Sequence, residues 1–129
     1  METIRFLKDI LELGKEIFNR KDYFPFIFSN DNDSTKLEYN FFIKNKEYIY
    51  ILEINFINKK IIKEILKIDE EIIFKRNEET TFVNEREIKI GPNIFFLMYY
   101  YSQIGDKEEV NFLVEYIKWN YLYRTTERL

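Results

Sequence analysis

The sequence predicts an α+β domain in which helices near the two ends of the chain pack on an antiparallel sheet. Residues 3–19 have apolar side chains at helical spacing, and residues 37–57 alternate apolar and polar side chains around a short turn. A second helical pattern covers 93–124 and is interrupted at Gly105. We therefore predict an N-terminal helix, a sheet of about four to five strands with a short inserted helix, and a C-terminal helical hairpin packed on the sheet.

The composition argues against most enzyme chemistry. The 129 residues fit a single domain over 1–129, and they include neither cysteine nor histidine. Disulfides, thiolates and the side chain best suited to proton transfer at neutral pH are therefore absent. The three glycines are isolated, so no phosphate-binding loop is formed. We predict a protein that is not an enzyme and needs no cofactor.

The longest apolar run also argues against a membrane location. It is "IFFLMYYY", which is much shorter than the roughly 20 residues that a membrane span requires. Charged residues interrupt the apolar positions near the N-terminus, unlike a signal peptide. We expect a cytoplasmic protein. The abundance of Ile, Lys, Asn, Phe and Tyr indicates AT-rich codons, as in a low-GC bacterium, its phage or a mobile element.

The first half of the chain predicts a hairpin and a helix. Residues 37–44 and 47–57 are the hairpin strands, joined by Lys44-Asn45-Lys46. The following "NKKIIKEILKIDEE" has isoleucines at helical spacing with lysines on the other side, so we predict the short inserted helix there. "EIIFKR" and "TTFVNEREIKI" predict two strands around an "NEE" turn.

The segment between the first helix and the hairpin predicts an edge strand and a loop. "DYFPFIF" contains Pro25, which cannot donate a hydrogen bond within a central ladder. Asp31 and Asp33 in "SNDNDSTK" resemble the start of a calcium loop. Lys36 stands where that loop needs glycine and Phe42 where it needs glutamate. We therefore predict a polar turn and no metal site.

Two sets of residues are candidates for binding a partner. One is an aromatic stripe on the last helix at i, i+4, i+7 and i+11: Phe112, Tyr116, Trp119 and Tyr123. A separate apolar stripe suffices to dock that helix, so the aromatic stripe is either additional core or an interface. The other set is the acidic part of 69–87, which is either a solvated strand edge or a face for a basic partner. Its members are Asp69, Glu70, Glu71, Glu78, Glu79, Glu85 and Glu87.

These observations lead to three hypotheses. The first is a non-enzymatic protein-binding module, an inhibitor or immunity-type protein that blocks a toxin, nuclease or defence enzyme through the acidic and aromatic residues. The second is a single-stranded nucleic-acid-binding protein, with Tyr48 and Tyr50 or the opposite strand face stacking on bases. Its backbone path would use Lys44, Lys46, Lys59, Lys60 and Lys63. The net charge of −3 argues against it. The third is a structural subunit or homodimer.

Overall fold

The computed structural model describes residues 3–19 and 34–127, and for 3, 4 and 120–127 it describes the backbone alone. The predicted edge strand at 22–28 and the aspartates of the polar turn, Asp31 and Asp33, lie outside the described residues. The described part confirms the α+β class, with a helix first, an antiparallel sheet next and helices last. The sheet has six strands, which is more than we predicted.

The elements follow one another with short connections. They are α1 (Thr3–Leu13), a 3₁₀ helix (Gly14–Asn19), β1 (Thr35–Ile43), β2 (Lys46–Asn55), β3 (Lys60–Ile68), β4 (Glu71–Asn77), β5 (Thr80–Val83), β6 (Arg86–Lys89), α2 (Phe96–Tyr99), a π-helical turn (Tyr100–Ile104) and α3 (Glu108–Glu127). The strand order is β1-β2-β3-β4-β5-β6, an antiparallel meander in which each strand pairs with its neighbours in sequence.

One face of the sheet carries the core, because side chains alternate between the two faces of each strand. On β2 this helix-covered face consists of Tyr48, Tyr50, Leu52 and Ile54, all buried. The described helices pack here through aromatic contacts, such as the Phe74 ring of β4 and the Phe96 ring of α2 with centroids 4.8 Å apart. The side chains between them point to the other face, which we call the open face.

The predicted inserted helix is wrong, because the same residues form β3. The helix was predicted because Glu64 was counted, together with the lysines of this segment, as a solvent-facing residue. Glu64 is instead fully buried, together with Leu66 and Ile68, whereas Lys63 and Lys67 lie on the open face. With Glu64 counted as an inward residue, the pattern alternates with period 2, as a strand requires.

Two further boundaries differ from the prediction. The stretch "TTFVNEREIKI" is a hairpin rather than one strand, because Asn84 and Glu85 form a tight turn with φ of 49° and 64°. The helix predicted from residue 93 starts at Phe96 and continues as the π-helical turn. It ends at Gly105, as predicted, in the left-handed region at φ 60°.

A buried carboxylate joins the sheet to α2. The side chain of Glu64 on β3 accepts hydrogen bonds from the Tyr50 hydroxyl at 2.6 Å and from Arg76 Nη1 at 3.3 Å. It also accepts from the backbone N–H groups of Phe96 and Leu97 at 2.8 and 2.9 Å. These N–H groups are unpaired donors at the start of a helix. Glu64 therefore caps α2 from a strand 32 residues earlier.

Arg76 on β4 completes this network. Its Nε donates to the Glu78 carbonyl at 2.7 Å, and its Nη2 donates to the Gly91 carbonyl at 2.8 Å. Its Nη1 donates both to Glu64 and to the Ile94 carbonyl. Both charged side chains have no solvent exposure. The pair therefore holds the segment between β6 and α2 against the sheet.

Burial opposes the charged form of both partners. Burial raises the pKa of Glu64, and the neighbouring Arg76, the Tyr50 hydroxyl and the two N–H groups act in the opposite direction. Burial also lowers the pKa of Arg76, against the attraction of Glu64. Because each carboxylate oxygen has two donors, the ionised pair is satisfied within the protein.

We expect Arg76→Met to lower the free energy of unfolding by about 3–5 kcal/mol, because it leaves a buried carboxylate without its counter-ion. Tyr50→Phe removes one hydrogen bond to the same carboxylate and keeps the ring, so we expect a loss of about 1.5–3 kcal/mol. The double variant Glu64→Leu/Arg76→Met removes both charges, and we expect it to lose less than the sum of its single variants. Urea unfolding measures all of these changes. A loss below about 1 kcal/mol for Arg76→Met would contradict the account.

Candidate functional site

Three hairpin turns lie at the same end of the sheet, because every second turn of a meander returns to one end. They are the β1–β2 turn at 44–45, the β3–β4 turn at 69–70 and the β5–β6 turn at 84–85. Asp69 ties two of them together. Its carboxylate accepts from the backbone N–H of Glu47 at 2.9 Å, and its own N–H donates to the Glu47 carbonyl at 2.9 Å.

The start of α3 reaches the same end of the sheet. Three side-chain contacts connect it to the strands: Lys46 Nζ to Glu109 Oε2 at 3.3 Å, Lys107 Nζ to Glu71 Oε2 at 3.7 Å, and Asn84 Nδ2 to Asp106 Oδ2 at 3.2 Å. In addition, the Tyr100 hydroxyl donates to the Asp106 carboxylate, which ties the π-helical turn to this end. Burial raises the pKa of Tyr100, and the bond to Asp106 adds to that effect, so the hydroxyl keeps its proton.

This end of the sheet is strongly acidic, and we call it the acidic end. Its carboxylates are Glu47, Asp69, Glu70, Glu71, Glu85, Asp106, Glu108 and Glu109, and its cations are Lys44, Lys46, Arg86 and Lys107. Eight carboxylates against four cations give a net charge of −4, whereas the whole chain carries −3. The rest of the molecule therefore carries a net charge of +1. The acidic end therefore holds more net negative charge than the whole chain.

Three of these carboxylates belong to residues with positive φ, namely Asp69, Glu70 and Glu85. Both residues of the 69–70 turn have positive φ, 48° and 70°, as do both residues of the 84–85 turn. This geometry matches the type I′ turns of tight hairpins, in which glycine is strongly preferred at the second position. The chain has Glu70 and Glu85 there instead. A side chain in the left-handed region costs about 1–2 kcal/mol, so stability alone does not favour these glutamates.

A cleft of about 370 Å³ opens between the start of α3 and the β1–β2 hairpin. It is lined by Lys44, Lys46, Tyr48, Glu108, Glu109 and Phe112. The Lys44 ammonium lies 4.7 Å from the centroid of the Phe112 ring. Hydrogen bonds from its own backbone N–H and from Lys46 lower the pKa of Glu109, which keeps this carboxyl ionised. The volume lies at the lower end of the range for ligand sites, about 300–1,000 Å³.

The aromatic stripe of α3 begins at this cleft. The Tyr116 ring meets the Phe112 ring at 6.2 Å and the Phe41 ring of β1 at 6.3 Å, so both residues pack partly against the sheet. Trp119, one turn further along, is 69% exposed. The side chain of Tyr123 lies outside the described part of the chain. The exposed indole leaves one large apolar side chain available to a partner.

The structure brings together only part of the predicted acidic set. Asp69, Glu70, Glu71 and Glu85 belong to the acidic end, and Glu87 lies nearby on the open face of β6. The β4–β5 turn, which contains Glu78 and Glu79, lies at the opposite end of the sheet. Sequence reasoning missed four members: Glu47, Asp106, Glu108 and Glu109. Asp106 and Glu109 have the D-x-x-E spacing that is typical of a helix start, which does not indicate their position at the end of the sheet.

Comparisons with known proteins do not assign this arrangement. No family model matches the chain, and neither the curated proteins nor the solved structures gave a significant match. Within the described residues, no group of three or more metal-ligating side chains is arranged to hold an ion. Over the same residues, no helix is both long enough and apolar enough to cross a membrane.

We expect Glu70→Gly and Glu85→Gly each to raise the free energy of unfolding by roughly 0.5–1 kcal/mol, because glycine adopts positive φ without steric conflict. The matched controls are Glu70→Ala and Glu85→Ala, which remove the same charge but keep the backbone strain. Urea unfolding of the four variants separates the two effects. Glycine variants no more stable than their alanine counterparts would show that the turns are not strained.

Proposed function

We propose that this protein is a small, non-enzymatic binding module that docks a basic surface of a partner protein on the acidic end and on the exposed part of α3. One observation carries the proposal: the cleft joins the two sets of residues that the sequence presents separately. Glu108 and Glu109 belong to the acidic end, Phe112 belongs to the aromatic stripe, and all three line the cleft.

The geometry suits a protein partner. Glu108, Phe112 and Trp119 follow one another along one side of α3, with a rise of about 16 Å over these eleven residues. The three turns of the acidic end adjoin the start of this side of α3 through the contacts of Lys46, Lys107 and Asn84. The unpaired negative charge favours fast association with a basic surface, and an exposed tryptophan suits slow dissociation.

Two features support a functional role for the acidic end over simple solubility. Its carboxylates come from four separate segments of the chain, and Glu70 and Glu85 occupy positions where glycine is the more stable residue. Residues with strained backbone are common at functional sites, although Lys59 and Glu78 also have positive φ. We extend the proposal to an inhibitor or immunity-type role, in which the module covers the basic active surface of a toxin, nuclease or defence enzyme.

The burial of Tyr48 and Tyr50 argues against the nucleic-acid hypothesis in the form that uses these two rings. Both rings face the core, with 2% and 0% of their surface exposed, so neither can stack on a base. Lys44 and Lys46 lie in the cleft beside carboxylates, which would repel phosphates. The other form of the hypothesis, in which bases stack on the open face of the sheet, does not use Tyr48, Tyr50, Lys44 or Lys46.

Because the chain has no cysteine, single cysteine variants direct a photo-crosslinker to one chosen surface. We expect Glu70→Cys and Glu115→Cys, labelled and mixed with lysate of the source cells, to capture the same protein. Lys15→Cys carries the label on the 3₁₀ helix, away from the acidic end, and we expect it not to capture that protein. Capture from the Lys15 position alone would contradict the proposed surface.

The purified partner then allows a charge test with a matched control. We expect Glu70→Lys/Glu85→Lys to weaken binding at least tenfold, mainly through slower association, and Trp119→Ala to weaken it roughly tenfold through faster dissociation. Glu78→Lys/Glu79→Lys makes the same charge change at the opposite end of the sheet and should leave affinity unchanged. Equal losses in both double variants would reject the acidic end as the docking surface.

A further inference from the structure

The open face of the sheet carries a row of lysines that form no ion pair with the side chains the structure describes. Lys63 and Lys67 lie on β3, and Lys75 lies beside them on β4. Among the described residues, no carboxylate lies within salt-bridge distance of any of these three ammonium groups. The cross-strand neighbour of Lys63 is Glu53, whose carboxylate accepts from the Ser34 hydroxyl at 2.7 Å instead.

The neighbours of these lysines within β3 to β5 are mostly apolar, and glutamates flank them on the adjoining strands, with Glu53 beside Lys63 and Glu87 beside Phe82. Across the sheet, one row of the open face runs from Ile51 through Ile65 and Lys75 to Phe82. Phe82 is 51% exposed directly beside Lys75, and Ile72, the cross-strand neighbour of Lys67, is 52% exposed. On the open face of β3 and β4 there is no acidic residue, because Glu64 and Glu71 face the helices.

The net charge of −3 for the whole chain does not indicate the charge of the open face. The acidic end holds a net −4, so the rest of the molecule carries +1. Lys63 and Lys67 are four residues apart on one strand, which is about 13 Å at 3.3 Å per residue. That length equals about four stacked nucleotides at 3.4 Å each. An exposed aromatic ring beside unpaired ammonium groups is the combination that binds single strands without sequence preference.

We propose that the open face of β3–β5 binds single-stranded nucleic acid. Lys63, Lys67 and Lys75 contact the phosphates, and Phe82 stacks on one base. The isoleucines between them provide an apolar floor against which sugars and bases lie. The acidic end limits the bound strand on the Lys67 side, because its carboxylates repel phosphates. This activity uses a different face from the protein-binding surface and does not depend on it.

Fluorescence anisotropy with a labelled oligothymidylate of about 12 nucleotides tests the proposal, since the length exceeds the expected site. We expect saturable binding at about 20 mM salt. Three phosphate contacts predict a slope of about −2 for log affinity against log salt, hence about 100-fold weaker binding at about 200 mM. No change in anisotropy at the lower salt concentration would overturn the proposal.

Variants separate the open face from general charge effects. We expect Lys63→Gln/Lys67→Gln/Lys75→Gln to abolish the salt-dependent binding, and Lys15→Gln/Lys59→Gln/Lys118→Gln, with the same charge change elsewhere, to retain it. Phe82→Ala should weaken binding roughly tenfold through lost stacking, and Phe82→Tyr should restore it. Unfolding curves check that each variant is folded.

Three results would overturn the proposal. Equal losses in the two lysine variants would indicate non-specific attraction, and an unaffected open-face variant would exclude the face. Sedimentation that shows dimers of the wild-type chain, lost in the open-face variant, together with no oligonucleotide binding, would identify the face as a contact between two copies.

Discussion

The carboxylate of Glu64 is completely buried, so all of its hydrogen-bond donors must come from the protein. This requirement fixes the relative position of three parts of the chain. Tyr50 approaches from β2, Arg76 from β4 and the first N–H groups of α2 from above the sheet. A buried carboxylate without its counter-ion would cost several kcal/mol. The α2 helix, with only four residues, has little stability of its own and depends on this cap.

The acidic end depends on the same constraint through a short series of contacts. Glu64 holds the first turn of α2, the helix continues as a π-helical turn to Ile104, and Tyr100 donates to Asp106 just before α3. Asp106 therefore places the first turn of α3 against the β5–β6 turn. The position of the acidic end therefore depends on the buried Glu64–Arg76 pair through α2 and the π-helical turn.

The sequence predicts those elements whose pattern is local. The β1–β2 hairpin was predicted because its alternation is regular, and the end of the helix at Gly105 because glycine is favoured in the left-handed conformation found there. The strand β3 was missed because a buried glutamate looks like a solvent-facing residue until its partner Arg76 is known. The β5–β6 turn was missed because Asn84-Glu85 lacks the glycine that marks such turns. The acidic end required the register of all six strands, which no single segment contains.

Amide hydrogen exchange of Phe96 and Leu97 under native conditions tests the dependence on Glu64 most directly. Both N–H groups donate to the buried carboxylate, so the account predicts exchange as slow as that of the central strand amides, limited by global unfolding. Ile61, whose N–H donates to the Pro92 carbonyl at 2.8 Å, reports on the adjoining loop in the same experiment. Exchange of Phe96 and Leu97 at rates typical of exposed amides, while the strand amides remain protected, would show that Glu64 does not hold α2 in place.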